Sequence, residues 1–477
     1  MKYLLSLAAT VLFFFYFISV SRGSGRIVKL IYFELLYNLM IKFLIGSLGL
    51  PSMFNYVTDV VWVWIVVEFL YQRKRVHRKI PASLTACGIL FFLGTLISYA
   101  MNLYSPLLYL WGFRNHFRFI LFAMMCAVFL RKRDIQTIMD IFFGFFVLNL
   151  FVVTYQYFFV TYSESAIGDF ISGLFSNGTE RGGNASLDWL MCIVSTYSIV
   201  KYLNEKASPK KMLFCLFGSI YMAALGEIKI YFVQMVLIGI LAVAICRKSF
   251  KIFAFVLAGT LCVTLGIQAL YIAFPKFAGF FTLQNMIAYV TNAGGYSSRG
   301  HNIGIDRATV FTYVFRHFLT DLPGRMHGIG LGNADFSSFP ALTSSFYRNY
   351  SWSGYTFFSS SFILIETGSV GLTLYLMYFA NYVRYAIEKL RMKQAMPKGY
   401  ESVLHTAVLI GLMCFLMIFS NQTMKMETSA YMVHCILVLP FVLYRRDDQS
   451  GVGESMVLLS GKGGRHEAKG FCDCPGL

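Results

Sequence analysis

Long apolar runs recur along the chain, separated by short polar stretches. A helix rises 1.5 Å per residue, so a run of roughly 20 residues crosses the hydrocarbon core of a bilayer. The pattern predicts such helices at about 3–20, 30–49, 54–71, 83–101, 107–130, 136–160, 186–203, 212–226, 229–246, 252–274, 357–383, 403–420 and 429–444. The run at 212–226 is short, and that at 30–49 is interrupted by Lys42. The expectation is an all-α polytopic membrane protein of about 12–13 transmembrane helices, with one long extracytoplasmic loop between the late spans.

Composition agrees. Of 477 residues, 57% are hydrophobic and only 13% charged, and mean hydropathy is +0.61. A water-soluble domain carries about a quarter charged residues, so this chain cannot clothe a folded surface for water. Its outer surface must face the lipid bilayer. The formal charge of +18 does not indicate nucleic acid, because Lys and Arg sit in short clusters between apolar runs. That distribution follows the positive-inside rule. Clusters at Arg73–Lys79, Arg131–Arg133, Lys206–Lys211, Arg247–Lys251, Arg384–Lys398 and Arg445–Arg446 all fall on one side of the predicted spans, which is therefore the cytoplasmic side. Placing Arg22, Arg26 and Lys29 there as well requires an outside N-terminus, unless 30–49 is a re-entrant or surface helix.

The spans divide the chain into an N-terminal bundle (1–274), an extracytoplasmic loop (275–356), C-terminal transmembrane helices (357–446) and a polar cytoplasmic tail (447–477) expected to be disordered. Residues 1–22 read as a span, since no small-residue cleavage site follows the apolar stretch. Most cysteines, such as Cys126 and Cys414, lie in apolar runs as small hydrophobes. Cys472 and Cys474 in the tail form a lone C-x-C without partner ligands, too little to indicate a metal.

Candidate chemistry concentrates on the outer side. The long loop holds Arg299, Arg307, Arg316, Arg325 and Arg348, with His301, His317 and His327 among them and few carboxylates to pair with them. Guanidinium forks bind phosphate oxygens bidentately, so such a cluster suits a diphosphate or another anion. Solvated charge is the plainer account of any single arginine. Arg114, His116 and Arg118 lie inside an apolar run, and the two arginines, four apart, share a helix face. A charge in a span faces a polar cavity or partner unless it snorkels to the interface, which Arg114 reaches more easily than Arg118. Gly328, Gly330 and Gly332 alternate in G-I-G-L-G-N, allowing a sharp turn or a close backbone approach to a ligand. Glu366 opens E-T-G-S-V-G-L near the outer end of a span, where a carboxylate is a functional candidate.

Spaced loop arginines, then G-I-G-L-G-N, then E-T-G-S-V-G-L, with the junction Gly226-Glu227-Ile228-Lys229 earlier in the chain, resemble the O-antigen polymerase and ligase superfamily. The resemblance is greatest to polymerases of capsular or exopolysaccharide repeat units and spans roughly residues 180–440 in layout. It implies a metal-independent membrane glycosyltransferase without cofactor, working at the outer face of the bacterial cytoplasmic membrane. Its substrate would be an undecaprenyl-diphosphate-linked oligosaccharide, and a flippase and a chain-length regulator would be its partners. Arg299 and Arg307 match the family's loop arginines by position. Together with Arg316 and Arg325, and with Arg114 and Arg118 from the membrane, they would hold the diphosphate. His301, His317 and Glu366 stand as candidates for the base that activates the acceptor hydroxyl. The ligase branch carries a His-containing motif shortly before E-x-G. Here that stretch reads Phe357-Phe358-Ser359-Ser360-Ser361-Phe362, which favours polymerase and leaves the base open.

Two other classes compete. A lipid-linked oligosaccharide flippase or another transporter would also be basic and polytopic, but needs no long outer loop; O-antigen ligase is the second alternative. Arg307→Ala is expected to abolish polymer formation while leaving the amount of protein in the membrane unchanged, read by surface-polysaccharide gel and immunoblot. Loss of the protein along with the polymer would assign Arg307 to folding.

Overall fold

A computed structural model describes residues 2–72, 81–162, 167–175, 183–205, 207–246, scattered positions from 259 to 275, 305, 307–392 and 399–444. The run at 252–274 is mostly outside these residues, as are Arg299, His301 and the tail 447–477. Every other predicted run is a helix. The helices are α1 (Lys2–Ser21), α2 (Arg26–Gly46), α3 (Val57–Gln72), α4 (Ala82–Asn102), α5 (Pro106–Phe129), α6 (Lys132–Phe159), α7 (Asn184–Glu205), α8 (Pro209–Leu225) and α9 (Lys229–Cys246). The outer loop contributes α10 (Val310–His317) and α11 (Leu322–His327), and the chain continues through α12 (Ser359–Arg391), α13 (Glu401–Ser420) and α14 (Glu427–Leu443). Among the described residues, six helical segments are long and apolar enough to cross a membrane. The protein is thus an all-helical, multi-pass membrane protein. Helices α2, α5 and α7 match predicted runs but carry charges that the site uses, Lys42 half-buried and Arg118 and Asp188 buried.

Burial sorts the helices into a centre and a rim. The apolar window of α13 is 78% buried, and it packs against α12, α7 and α14. The segment Ser52–Tyr71, which includes α3, is only 22% buried. Trp64, Phe151, Phe158 and Phe159 are exposed side chains that water would not tolerate as a continuous belt. They face lipid. Proline at the first turn of α5 and α8 starts those helices without wasting an N–H, because that position has no intrahelical acceptor.

Contacts between helix ends join, in pairs, turns that the span order predicts to lie on one side. Arg133 donates to the Gly23 carbonyl at 3.0 Å, tying the α1–α2 turn to the α5–α6 turn. Asn204 and His405 meet at 2.8 Å, and Lys389 lies over the Tyr444 ring. At the opposite end, here the loop end, Tyr56 bonds Ser338 and Asn102 bonds the Gly328 carbonyl.

Helix α12 is broken at Gly368, whose φ of 67° and ψ of −172° no other residue type adopts readily. The break deprives the carbonyls of Ile365 and Glu366 of their intrahelical donors. In a bilayer such groups must find protein partners. They find the glycine loop: Ile329 N–H donates to Ile365 O at 2.9 Å and Gly330 N–H to Glu366 O at 3.0 Å. The loop then threads beside α4 and α5, where Tyr104 donates to the Leu331 carbonyl. The glycines therefore serve close approach to the protein's own backbone. A Cβ at Gly330 would collide with the Tyr104 ring, and one at Gly332 with the Leu108 carbonyl. Gly112 of α5 is the reciprocal contact, since a Cβ there would strike the Gly332 nitrogen.

Gly332→Ala is expected to destabilise the protein by more than about 2 kcal/mol, because φ of +85° alone costs an L-residue about 1–2 kcal/mol before the clash is counted. Thermal unfolding in detergent micelles measures the effect, and an unchanged melting temperature would contradict the packing.

Candidate functional site

At the loop end, α2, α5, residues 335–338 and residues 422–428 enclose a cavity of about 460 Å³. Lys42, Arg114, Arg118 and Lys425 line it, against the carboxylates of Asp335 and Glu427. Arg114 and Arg118 sit one turn apart on α5, so the helix period points both into the cavity.

Each cation is held differently. Arg114 grips Asp59 of α3 with both Nε and Nη2, at 2.8 and 2.7 Å, and donates to Asn115 Oδ1 at 2.7 Å. It also lies over the Trp111 ring. Arg118, only 5% exposed, places Nη1 2.7 Å from Glu427 Oε1, while its Nε has no hydrogen-bond partner among the described residues. Lys425 bonds Asp335 at 2.6 Å and lies over the Phe362 ring. Among the described residues Lys42 makes no hydrogen bond or salt bridge, and it acts on Glu427 through its charge. A buried donor without an acceptor, such as Arg118 Nε, is costly in low dielectric. Here the cost falls on a wall that an anion would relieve.

Asp335 links the cavity to the broken helix. Its other oxygen accepts from Asn115 Nδ2 at 2.6 Å, and the adjoining loop is pinned from behind by Glu366. Glu366 is fully buried, and its Oε1 accepts from Gly332 N–H at 2.9 Å and Ala334 N–H at 3.1 Å. Its Oε2 meets His116 Nε2 at 3.0 Å, and the imidazole stacks on Phe362. Burial works to raise the Asp335 carboxyl pKa, but the Lys425 ammonium, with bonds from Lys425 and the Phe336 N–H, holds it below the ordinary value.

A second cavity of about 310 Å³ opens alongside, lined by Asp188, Glu227, Lys229, Arg307, Asn421 and Gln422 among others. Gln422 lines both cavities, and the α7 start supplies Ser186 to the first and Asn184, Ala185 and Asp188 to the second. Comparisons with protein-family models and with curated proteins find no match. Function must be argued from these two cavities.

Arg114 and Arg118 line the first cavity, and Arg307 lines the second, donating from Nε to the Ser420 carbonyl at 3.2 Å. Arg316 and His317 are exposed on α10, apart from both cavities, with His317 against the Tyr313 ring. Arg325 caps the Leu319 carbonyl at 3.1 Å over Phe315, also apart from them. Glu366 and the three glycines shape the wall from behind and line neither cavity. Arg299 and His301 lie outside the described residues. Sequence reasoning passed over Lys42, Asp59, Asp188, Lys425 and Glu427 as site residues. Lys42 and Asp188 carried a signal, a single charge inside an apolar run. Lys425 and Glu427 sit in a short turn between spans and carried none.

Lys42→Met is expected to leave the melting temperature unchanged or raised, since no hydrogen bond is lost. It should weaken binding of inorganic diphosphate about tenfold, the worth of one charge-assisted contact. Calorimetric titration of both proteins in nanodiscs measures the difference, and equal affinities would remove Lys42 from the site.

Proposed function

We propose that this chain is a polymerase joining undecaprenyl-diphosphate-linked oligosaccharide repeat units into a surface polysaccharide at the outer face of the bacterial cytoplasmic membrane. The observation that carries this reading is the cation-lined cavity at the end of the bundle opposite the basic clusters. By the positive-inside rule that end faces outward. A lipid-linked donor approaches within the bilayer, so its diphosphate arrives at headgroup level, where α2 and α5 present Lys42, Arg114 and Arg118.

Transfer of a sugar from a diphosphate develops negative charge on the leaving oxygen as the anomeric bond breaks. Fixed cations in a water-poor cavity stabilise that charge without reorganising. Arg118, with a donor left unpaired, and Lys42, with no bonded partner, are the groups available for it. Arg114 and Lys425 are already engaged by Asp59 and Asp335, which sets their positions and leaves the remaining faces of the cations to the cavity. The outer loop closes over this site through Asp335 and residues 336–338, as an enzyme requires and a through-channel does not. The sequence resemblance to repeat-unit polymerases supports the same reading.

Cells lacking this protein are expected to carry single repeat units on the lipid carrier and no long chains, seen on a gel of surface polysaccharide beside the extracted lipid intermediates. Repeat units held on the cytoplasmic leaflet would instead make it a flippase, and normal polymer would overturn both.

A further inference from the structure

The second cavity holds a carboxylate that the fold leaves incompletely satisfied. Asp188 is fully buried on the first turns of α7. Its Oδ2 accepts from Gln234 Nε2 at 2.9 Å, whereas its Oδ1 has no hydrogen-bond partner among the described residues. A buried carboxylate oxygen without a donor costs about 1–3 kcal/mol or more. The rest of the wall balances Glu227 against Lys229 and Arg307, where the first cavity sets four cations against Asp335 and Glu427. Glu227 stands at φ of 53°, a strained value for a non-glycine residue, in the tight α8–α9 junction that turns it and Lys229 toward the cavity. Arg307 closes the other side, anchored to the Ser420 carbonyl.

We propose that this second cavity receives the acceptor chain and that Asp188 is the base for its attacking hydroxyl. The proposal rests on the polymerase reading and assigns the half of the reaction that the cation-lined cavity does not perform. A sugar chain is a neutral, hydroxyl-rich ligand. Neighbouring carboxylate, amide and guanidinium groups suit it, because each hydroxyl donates once and accepts up to twice. The two cavities meet at Gln422 and the α7 start, so a donor seated among Lys42, Arg114 and Arg118 presents its anomeric carbon toward the acceptor's side.

The step balances without a further reactant. The acceptor hydroxyl gives its proton to Asp188 Oδ1 while its oxygen forms the new bond to the anomeric carbon. The bond from that carbon to the diphosphate oxygen breaks, and its electron pair leaves with the lipid diphosphate into the first cavity. The proton on Asp188 is released to water when the product moves on.

The test uses full-length protein in proteoliposomes with the lipid-linked single repeat units that accumulate in cells lacking it. If the wild type does not lengthen them, the polymerase reading itself fails. If it does, Asp188→Asn is expected to slow elongation by about 100-fold or more, the usual worth of a general base, without lowering the melting temperature. Asp188→Glu, which keeps the carboxylate, should elongate at least tenfold faster than the Asn variant. Elongation by Asp188→Asn equal to that of Asp188→Glu, or at the wild-type rate, would overturn the assignment while leaving the polymerase reading standing.

Discussion

The structure of the loop end hangs on one buried carboxylate beside one broken helix. Gly368 interrupts α12 inside the bundle, and the freed carbonyls of Ile365 and Glu366 are taken up by the N–H groups of Ile329 and Gly330. The Glu366 side chain then collects Gly332 N–H, Ala334 N–H and His116. These bonds run in the same direction, drawing residues 329–334 down against α4 and α5. In a bilayer, lipid tails are as apolar as leucine, so burial of hydrophobic side chains gives helices little reason to associate. Close packing and satisfied polar groups must do it. The glycine loop supplies both, because only glycine lets its backbone lie against Leu108, Gly112 and Tyr104.

From that anchor the wall of the cation-lined cavity follows. Ala334 fixed by Glu366 places Asp335 within reach of Asn115 and Lys425. The same helix that offers Asn115 and His116 to the loop offers Arg114 and Arg118 to the cavity. Thus α5 is read on two faces: His116 turns toward the broken helix, and the arginines turn toward α3 and α14. Ion pairs alone would not explain the arrangement, since desolvation cancels much of what a buried pair gains. Leaving the buried Arg118 Nε without a bonded partner among the described residues is unfavourable for folding and useful for binding an anion.

The two cavities divide the chemistry by charge. Cations predominate where a diphosphate would sit, and Asp188 and Glu227 bring carboxylates to the cavity beyond Gln422. A carboxylate bonded directly to a cation is made less basic, as Asp335 beside Lys425 illustrates. Arg307 belongs to the second cavity, so its role is tied to the acceptor side as much as to the diphosphate.

Helix positions and the multi-pass membrane character were legible in the sequence, because both depend on local hydropathy. Arg114, Arg118 and Glu366 were legible as anomalies for the same reason: a charge in an apolar run is costly wherever the helix packs. What those residues do was not legible. Periodicity places Glu366 on a helix face, but only the fold shows that its oxygens are consumed by Gly332, Ala334 and His116. Nor does spacing tell a glycine that admits a ligand from one that admits Leu108. Lys42, Asp188 and the Lys425–Glu427 pair come from three separated stretches of chain, and their place in the two adjoining cavities depends on how α2, α7 and α14 pack around α5 and α13. Hydropathy is a property of one segment and can be read alone, whereas a cavity is a property of the space between segments and exists only once they have packed.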